Sequence, residues 1–248
     1  ALGRVHNSVQ SKAAVECAKM AGFDNINIDL MHGLPGQSLE AARRDLLEAI
    51  ESQPTHLSWY QLTIEPNTVF YKRPPILPAE DKLADIQETG EALLTEAGLK
   101  QYEVSAYSQP GRESRHNTNY WTFGDYLGIG AGAHGKISLA DNTIRRMAKR
   151  RQPDQYLESK AGEHTSERRQ LQPDELPGEF VMNALRLNNG FTLDLFTTRT
   201  GLGAKALESQ ISLLKERELL LVDGKHVRAT ETGRRFLDTV IAEFLPAS

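Results

Sequence analysis

The sequence predicts an α/β fold, in which parallel strands alternate with helices, followed by a smaller and mostly helical module. Up to about residue 105, short alternating or apolar segments are separated by amphipathic segments of roughly 15 residues, the spacing of strand–helix units. Beyond residue 172 the apolar periodicity is helical and is interrupted by one Asp223-Gly224 turn. Right-handed strand–helix–strand connections then give either an open doubly wound sheet or part of a barrel.

The first half contains helices and strands in alternation. A helix is predicted over residues 8–21, because apolar side chains recur at helical spacing and Gly22 follows where a left-handed residue is wanted. Ser38 is placed to cap a second helix that runs to about Ser52. The remaining predicted elements are strands over residues 25–30, 56–63 and 101–105 and a helix over residues 79–97.

The second half begins with a polar loop over residues 108–119 and two short strands near residues 126–129 and 136–139. Residues 161–172 are almost wholly polar and predict a linker. Helices, a hairpin and a final helix capped by Thr230 follow, the order of a winged-helix-like module. These elements are predicted over residues 175–187, 193–198, 204–216, 219–222, 226–229 and 230–244. The predicted domains are therefore residues 1–160 and 173–248, joined by the linker.

The composition limits the classes of function. The 248 residues are 39% hydrophobic and 25% charged, as in an ordinary globular protein, and contain no apolar run of about 18 residues. Cys17 is the single cysteine, and no signal peptide is recognisable, so we expect a cytoplasmic protein. A net charge of -4 gives no overall attraction for nucleic acid. Because the chain opens on Ala1 rather than methionine, we expect it to be cut from a longer protein.

Two motifs have an ordinary structural interpretation beside a functional one. Residues 130–135 match the G-x-G-x-x-G of a dinucleotide-binding turn, but β-prone residues follow where that turn requires a helix. A tight turn between two strands is therefore favoured. The five basic residues in the segment 145–151 indicate either an anion-binding patch or, with more weight, a solvated strand and helix start.

Three side chains are candidates for ligand binding. Asp29 places a carboxylate near the end of a predicted parallel strand, where ligands of α/β folds collect, and Arg4 could reach the same place as an anion partner. His116 is followed by Tyr120 and Trp121, and an imidazole beside aromatic rings suits haem iron and a porphyrin. A solvated strand end and a structural histidine are the competing interpretations.

Several segments together closely resemble the radical SAM proteins of the oxygen-independent coproporphyrinogen oxidase group. The segments are residues 3–6, 27–37, 57–60, 116–121 and 126–133. Within that group, the His-Asn-Thr-Asn-Tyr-Trp segment at residues 116–121 favours the haem-chaperone branch, since the oxidase branch has no such histidine there. The resemblance covers essentially the whole chain. It implies the second half of a radical SAM (β/α) barrel followed by the small helical, winged-helix-like domain.

The resemblance also implies cofactors and the residues that bind them. Arg4 and Asp29 are expected to contact the polar parts of S-adenosyl-L-methionine, the backbone at Met31 to border its adenine, and the segment around Thr63 to close the site. His116 is expected to be the haem-associated histidine and the metal ligand of the chain. Its neighbours Tyr120 and Trp121 are expected to pack against the haem ring.

The chain departs from the family pattern in its cysteines. The family holds a [4Fe-4S] cluster in a C-x3-C-x2-C loop, which these residues lack, so we expect that loop upstream of Ala1. The resemblance implies a haem chaperone that transfers haem to an acceptor haem protein, soluble or membrane-associated, with no nucleic-acid partner. Two alternatives stay open: an oxygen-independent coproporphyrinogen III oxidase, and a winged-helix DNA-binding regulator.

Overall fold

The computed structural model describes residues 7–246, and the chain divides into two compact units between Ser114 and Arg115. Each unit has its own buried core. Among the described residues, no helix is both long enough and apolar enough to cross a membrane. The division into domains at residues 160 and 173 that the sequence predicts stays a prediction.

The first unit follows the predicted alternation of helices and strands. Its helices are α1 Ser8–Met20, α2 Leu39–Glu51, α3 Val69–Lys72 and α4 Glu80–Glu96, and its strands are β1 Asn27–His32, β2 His56–Gln61, β3 Lys100–Glu103 and β4 Ala106–Ser108. The cap predicted at Ser38 is present, since its side chain accepts a hydrogen bond from the Ala41 amide at 3.2 Å. The short helix α3 was not predicted.

The sheet of the first unit has the order β1-β2-β4-β3. Strands β1 and β2 are parallel, as predicted, but β4 is antiparallel to both β2 and β3. The expectation of one strand over residues 101–105 is therefore wrong. The chain turns back at Val104 and Ser105, and the buried Glu103 carboxylate stabilises this turn by accepting hydrogen bonds from the Ser105 amide and hydroxyl, both at 3.2 Å.

The two faces of the parallel pair differ in chemistry. Ile28, Leu30, Leu57 and Trp59 belong to the apolar core that β1 and β2 form with α2 and α4. The alternate residues form the other face, which we call the polar face: Asn27, Asp29 and Met31 on β1, paired in register with His56, Ser58 and Tyr60 on β2. Because side chains alternate across a strand, burial of the first set directs the second set away from the helices.

The second unit combines a three-stranded sheet with a helical module. Its helices are α5 Arg115–Trp121, α6 Pro153–Leu157, α7 Leu176–Ala184, α8 Leu193–Thr200, α9 Glu208–Glu216, α10 Glu231–Arg235 and α11 Leu237–Ala242, with a 3₁₀ turn over Ala204–Leu207. Its strands are β5 His134–Ser138, β6 Ile144–Lys149, β7 Thr165–Gln170, β8 Phe191–Thr192, β9 Leu220–Asp223 and β10 His226–Ala229. The predicted hairpin is the antiparallel pair β9 and β10, to which β8 adds a third strand.

Two local predictions in this unit are corrected, and a third is borne out in part. Half of the segment expected to be a linker is strand β7, because its backbone completes a sheet of order β5-β6-β7 in which the basic run supplies the central strand. The strand expected near residues 126–129 is reduced to one bridge between Tyr126 and Lys136. The turn at residues 130–135 leads into β5 and not into a helix, as the β-prone residues after it predicted, but only the bridge at Tyr126 precedes it.

Candidate functional site

The polar face of the first unit carries Asp29. Its side chain is exposed, and its Oδ1 accepts a hydrogen bond of 2.8 Å from Asn27 Nδ2. Asp29 and Met31 line an open cavity of about 530 Å³ between α1, β1 and α2. Asp29 is the third residue of β1, so the expectation that it ends the strand is wrong by three residues. Arg4, its expected partner, lies outside the described residues.

Thr63 lies beyond the carboxyl end of β2, two residues after Gln61. The main chain here is tied to β1, since the Leu62 amide donates to the carbonyl oxygen of His32 at 2.9 Å. The Thr63 side chain is exposed and its hydroxyl donates to Glu65 Oε1 at 2.9 Å. The carboxyl ends of β1 and β2 therefore place Met31 and Thr63 on the same edge of the sheet.

A histidine that the sequence did not single out is the most buried member of the polar face on β2. His56 is only 3% exposed, and both ring nitrogens have partners: Nδ1 lies 2.7 Å from Asn27 Oδ1 and Nε2 lies 2.8 Å from the Tyr102 hydroxyl. Burial lowers the pKa of His56, an effect partly offset by the nearby carboxylates of Asp29 and Glu113. The signal was available, because His56 and Ser58 alternate on β2 as Asn27 and Asp29 do on β1.

His116 lies on a helix, not in the loop that was expected. It is the second residue of α5, its side chain is exposed, and its ring meets the ring of Tyr120 edge to face at 4.6 Å between centroids. The Tyr120 ring in turn contacts the Tyr126 ring, at 4.3 Å between centroids, so the rings of His116, Tyr120 and Tyr126 form a continuous row. Their spacing of four residues places His116 and Tyr120 on one face of α5.

The ring of Trp121 is less accessible to a flat ligand than the ring of Tyr120. It is half-buried, and the Arg186 guanidinium carbon lies 4.4 Å from its ring centroid. A flat ligand could reach that covered ring face only after Arg186 moves. The roles of Trp121 and of Tyr120 in packing against haem both stay predictions.

Tyr126 is held by an ion-pair network beneath the aromatic rings. Its hydroxyl accepts a hydrogen bond of 2.8 Å from Arg146 on β6, and Arg146 also pairs with Glu179 on α7. Glu179 accepts a second hydrogen bond, of 3.1 Å, from Arg169 on β7. Burial raises the pKa of Tyr126, although the Arg146 charge opposes this rise. The network fixes the ring against which Tyr120 packs.

The described residues do not provide a site for an iron–sulfur cluster. Over residues 7–246, no group of three or more His, Cys, Asp or Glu side chains could hold a metal ion. Cys17 is the only cysteine of the sequence and is exposed on α1. Since a [4Fe-4S] cluster needs several thiolates, these residues do not fit one.

Known proteins share this sequence over nearly its whole length. The haem chaperone HemW of Haemophilus influenzae is 46% identical over 244 residues, which cover 98% of this chain. HemW of Escherichia coli is 45% identical over the same share. Over nearly its whole length, the chain is therefore similar to HemW. It spans about 63% of the length of the Haemophilus HemW and 64% of the Escherichia HemW.

Two further comparisons concern the fold of this HemW relative. The family described as the HemN C-terminal domain matches residues 171–236, within the second unit. The solved structure of coproporphyrinogen III oxidase (HemN) from Escherichia coli, described as a radical SAM enzyme, superposes with a TM-score of 0.75 at 21% identity. The match covers 98% of this chain and 60% of HemN. The predicted fold class is confirmed as far as the fold itself: an α/β fold like that of the matched part of HemN, followed by a small helical domain.

Proposed function

We propose that the protein containing this chain binds haem and transfers it to an acceptor haem protein. The observation that carries the proposal is His116: an exposed imidazole at the start of α5, set edge to face on Tyr120. Its supports are the HemW relatives, which are named haem chaperones. The haem is cargo here, and a cytoplasmic location is part of the proposal.

The His116 site suits a ligand that must later be released. A neutral imidazole is a good axial ligand of haem iron, and an exposed one needs no opening of the fold to reach it. The Tyr120 ring offers an apolar surface to the porphyrin. This ring packs against Tyr126, whose hydroxyl accepts a hydrogen bond from Arg146. One accessible ligand and one aromatic face give a shallow site from which an acceptor can take the haem.

The first unit supplies groups that fit S-adenosyl-L-methionine. Asp29 would receive its hydroxyl or ammonium donors, Met31 would border its adenine through the backbone, and Thr63 would close the site at the carboxyl edge of the sheet. We include Arg4 on the strength of the family pattern alone. When bound to a [4Fe-4S] cluster, S-adenosylmethionine supplies radical chemistry, and no described residue here holds that cluster.

A haem titration tests the proposal. Haem is added to the purified protein and to its His116→Ala variant, and the Soret band is followed. We expect the variant to lose or strongly shift the band and to bind haem at least about tenfold more weakly, as expected for loss of an axial ligand.

His134→Ala is the matched control, because His134 is another exposed histidine of the same unit. Its spectrum and affinity should match those of the unchanged protein. An unaltered spectrum in His116→Ala, or a lost band in His134→Ala, would move the ligand away from α5.

A further inference from the structure

The hydrogen bonds around His56 can run in only one direction. A carboxylate accepts hydrogen bonds but donates none, so the amide of Asn27 must turn its Nδ2 toward Asp29 Oδ1. Asn27 Oδ1 then faces His56, where it accepts from Nδ1 at 2.7 Å and from the Ser58 hydroxyl at 3.2 Å. His56 Nδ1 therefore carries the proton.

The remaining ring nitrogen extends the chain of donors. With its proton on Nδ1, a neutral His56 has a lone pair on Nε2, which accepts from the Tyr102 hydroxyl at 2.8 Å. Burial favours this neutral form by lowering the pKa of His56. Donation thus passes from Tyr102 to His56, from His56 to Asn27, and from Asn27 to Asp29.

We propose that His56 is a positioning residue that holds Asp29, through Asn27, in the orientation that receives S-adenosylmethionine. This inference rests on the proposed function of Asp29. Asn27 and Asp29 are exposed, so without support their side chains would sample several rotamers. The buried His56 is anchored on two sides and transmits that rigidity to the exposed carboxylate.

In this scheme the two oxygens of the Asp29 carboxylate have different partners. Asn27 donates to Asp29 Oδ1, and in this scheme Oδ2 is the oxygen that receives the ligand. His56 does not touch the ligand in this scheme. Its effect should therefore appear in the orientation of Asp29 and in ligand affinity.

The first experiment reads the tautomer directly. Nitrogen NMR of the protein with ¹⁵N-labelled histidine distinguishes a protonated Nδ1 from a protonated Nε2. We expect His56 in the neutral form with the proton on Nδ1. This preference should weaken in Asn27→Ala, which removes the acceptor of that proton, and in Asp29→Ala, which removes the carboxylate that orients the Asn27 amide. A proton on Nε2 in the unchanged protein would overturn the inference.

The second experiment measures S-adenosylmethionine affinity by calorimetry in the cluster-containing full-length protein. His56→Phe keeps a buried ring but removes both nitrogens, and we expect about tenfold weaker binding, the typical effect of one hydrogen bond. His56→Asn restores a donor near the Nδ1 position, and its affinity should recover to within about threefold. Unchanged affinity in His56→Phe would contradict the inference.

Two further variants separate the possible failures. His32→Phe is the matched control, because His32 is 2% exposed on the same sheet but packs against Trp59 on the apolar side. Its affinity should not change. Asp29→Asn tests the underlying function: if it binds as well as the unchanged protein, the proposed role of Asp29 fails. If Asp29→Asn weakens binding and His56→Phe does not, only the positioning role fails.

Discussion

Gly90 in α4 allows Trp59 to pack directly against the helix backbone. A Cβ atom added at this position would lie 1.8 Å from Trp59 Cη2, 2.4 Å from Cζ3 and 2.5 Å from Cζ2. Trp59 cannot turn away freely, since its ring stacks on His32 at 4.2 Å and meets Tyr107 at 6.4 Å. The Gly90→Ala substitution must therefore push the helix and the sheet apart.

Two opposing effects determine how much Gly90→Ala changes the free energy of unfolding. In a helix without close neighbours, exchange of glycine for alanine stabilises by about 1 kcal/mol, through propensity and reduced freedom of the unfolded chain. Carbon atoms pack favourably at about 3.5–4.0 Å, so the contact is short by well over an ångström. Overpacking of a buried core costs about 1–3 kcal/mol, and this contact belongs at the upper end. We expect a net destabilisation of about 2 kcal/mol.

Urea unfolding of Gly90→Ala, followed by tryptophan fluorescence, measures this difference. The Trp59→Phe variant supplies the second half of a double-mutant cycle, since its smaller ring leaves room for the new methyl group. We expect Gly90→Ala to cost less in the Trp59→Phe background than alone. If Gly90→Ala raises the unfolding free energy by about 1 kcal/mol, as helix propensity alone requires, the packing argument is wrong.

Three further predictions concern stability. Burial lowers the pKa of His32 to about 4 from 6.5. The neutral form therefore stabilises the fold fully above pH 6.5, and this stability is lost as the pH falls toward 4. When the free energy of unfolding is measured against pH, His32→Phe should remove up to about 3 kcal/mol of its variation over this range. Lys136 is 1% exposed and donates a hydrogen bond to Asp125 at 2.8 Å. Asp125→Asn should therefore lower the free energy of unfolding by about 2 kcal/mol, a value discounted for the exposure of the carboxylate, and adding Lys136→Met should recover most of this loss. If the effects of the two substitutions simply add, the pairing is refuted. Gly190 and Gly224 both have positive φ. A Cβ atom at Gly190 would lie 2.0 Å from a carbonyl oxygen of β10, whereas a Cβ atom at Gly224 would meet open space. Gly190→Ala should therefore lower the melting temperature clearly more than Gly224→Ala.

Helix ends with ordinary caps could be predicted from the sequence. The helices α1 and α2 follow the N-caps Asn7 and Ser38, whose side chains cap the first turn, and both helices were placed within a residue or two of their bounds. The helix α5 was missed because its end gives no such signal. The left-handed residue after it is Phe123, with φ of 54°, and not a glycine.

The strands that were missed depend on distant pairing. The polar residues of β7 have no strand pattern of their own, and they form a strand because β6 offers its free edge. Similarly, β4 is fixed by its antiparallel pairing with β2, far away in the chain. Neither partner can be read from a local window of residues.

The candidate site was predicted residue by residue but not as a network. Asp29 and His116 were candidates from their residue types and positions, the resemblance gave them their expected ligands, and their exposure is compatible with ligand binding. His56 was not chosen because its partners Asn27 and Tyr102 lie 29 and 46 residues away. The register of β1 and β2 brings Asn27 beside His56, while Tyr102 reaches His56 from β3, which joins the sheet through β4.

The central claim is haem transfer, and it can be measured directly. The full-length protein that contains this chain is loaded with haem, separated from free haem, and mixed with a haem-free acceptor haem protein. The spectrum of each partner is then recorded after they are separated again. We predict that the Soret band moves from the donor to the acceptor, that His116→Ala abolishes this transfer, and that coproporphyrinogen III is not consumed. Retention of haem on the donor, or conversion of coproporphyrinogen III to its decarboxylated product, would contradict the account.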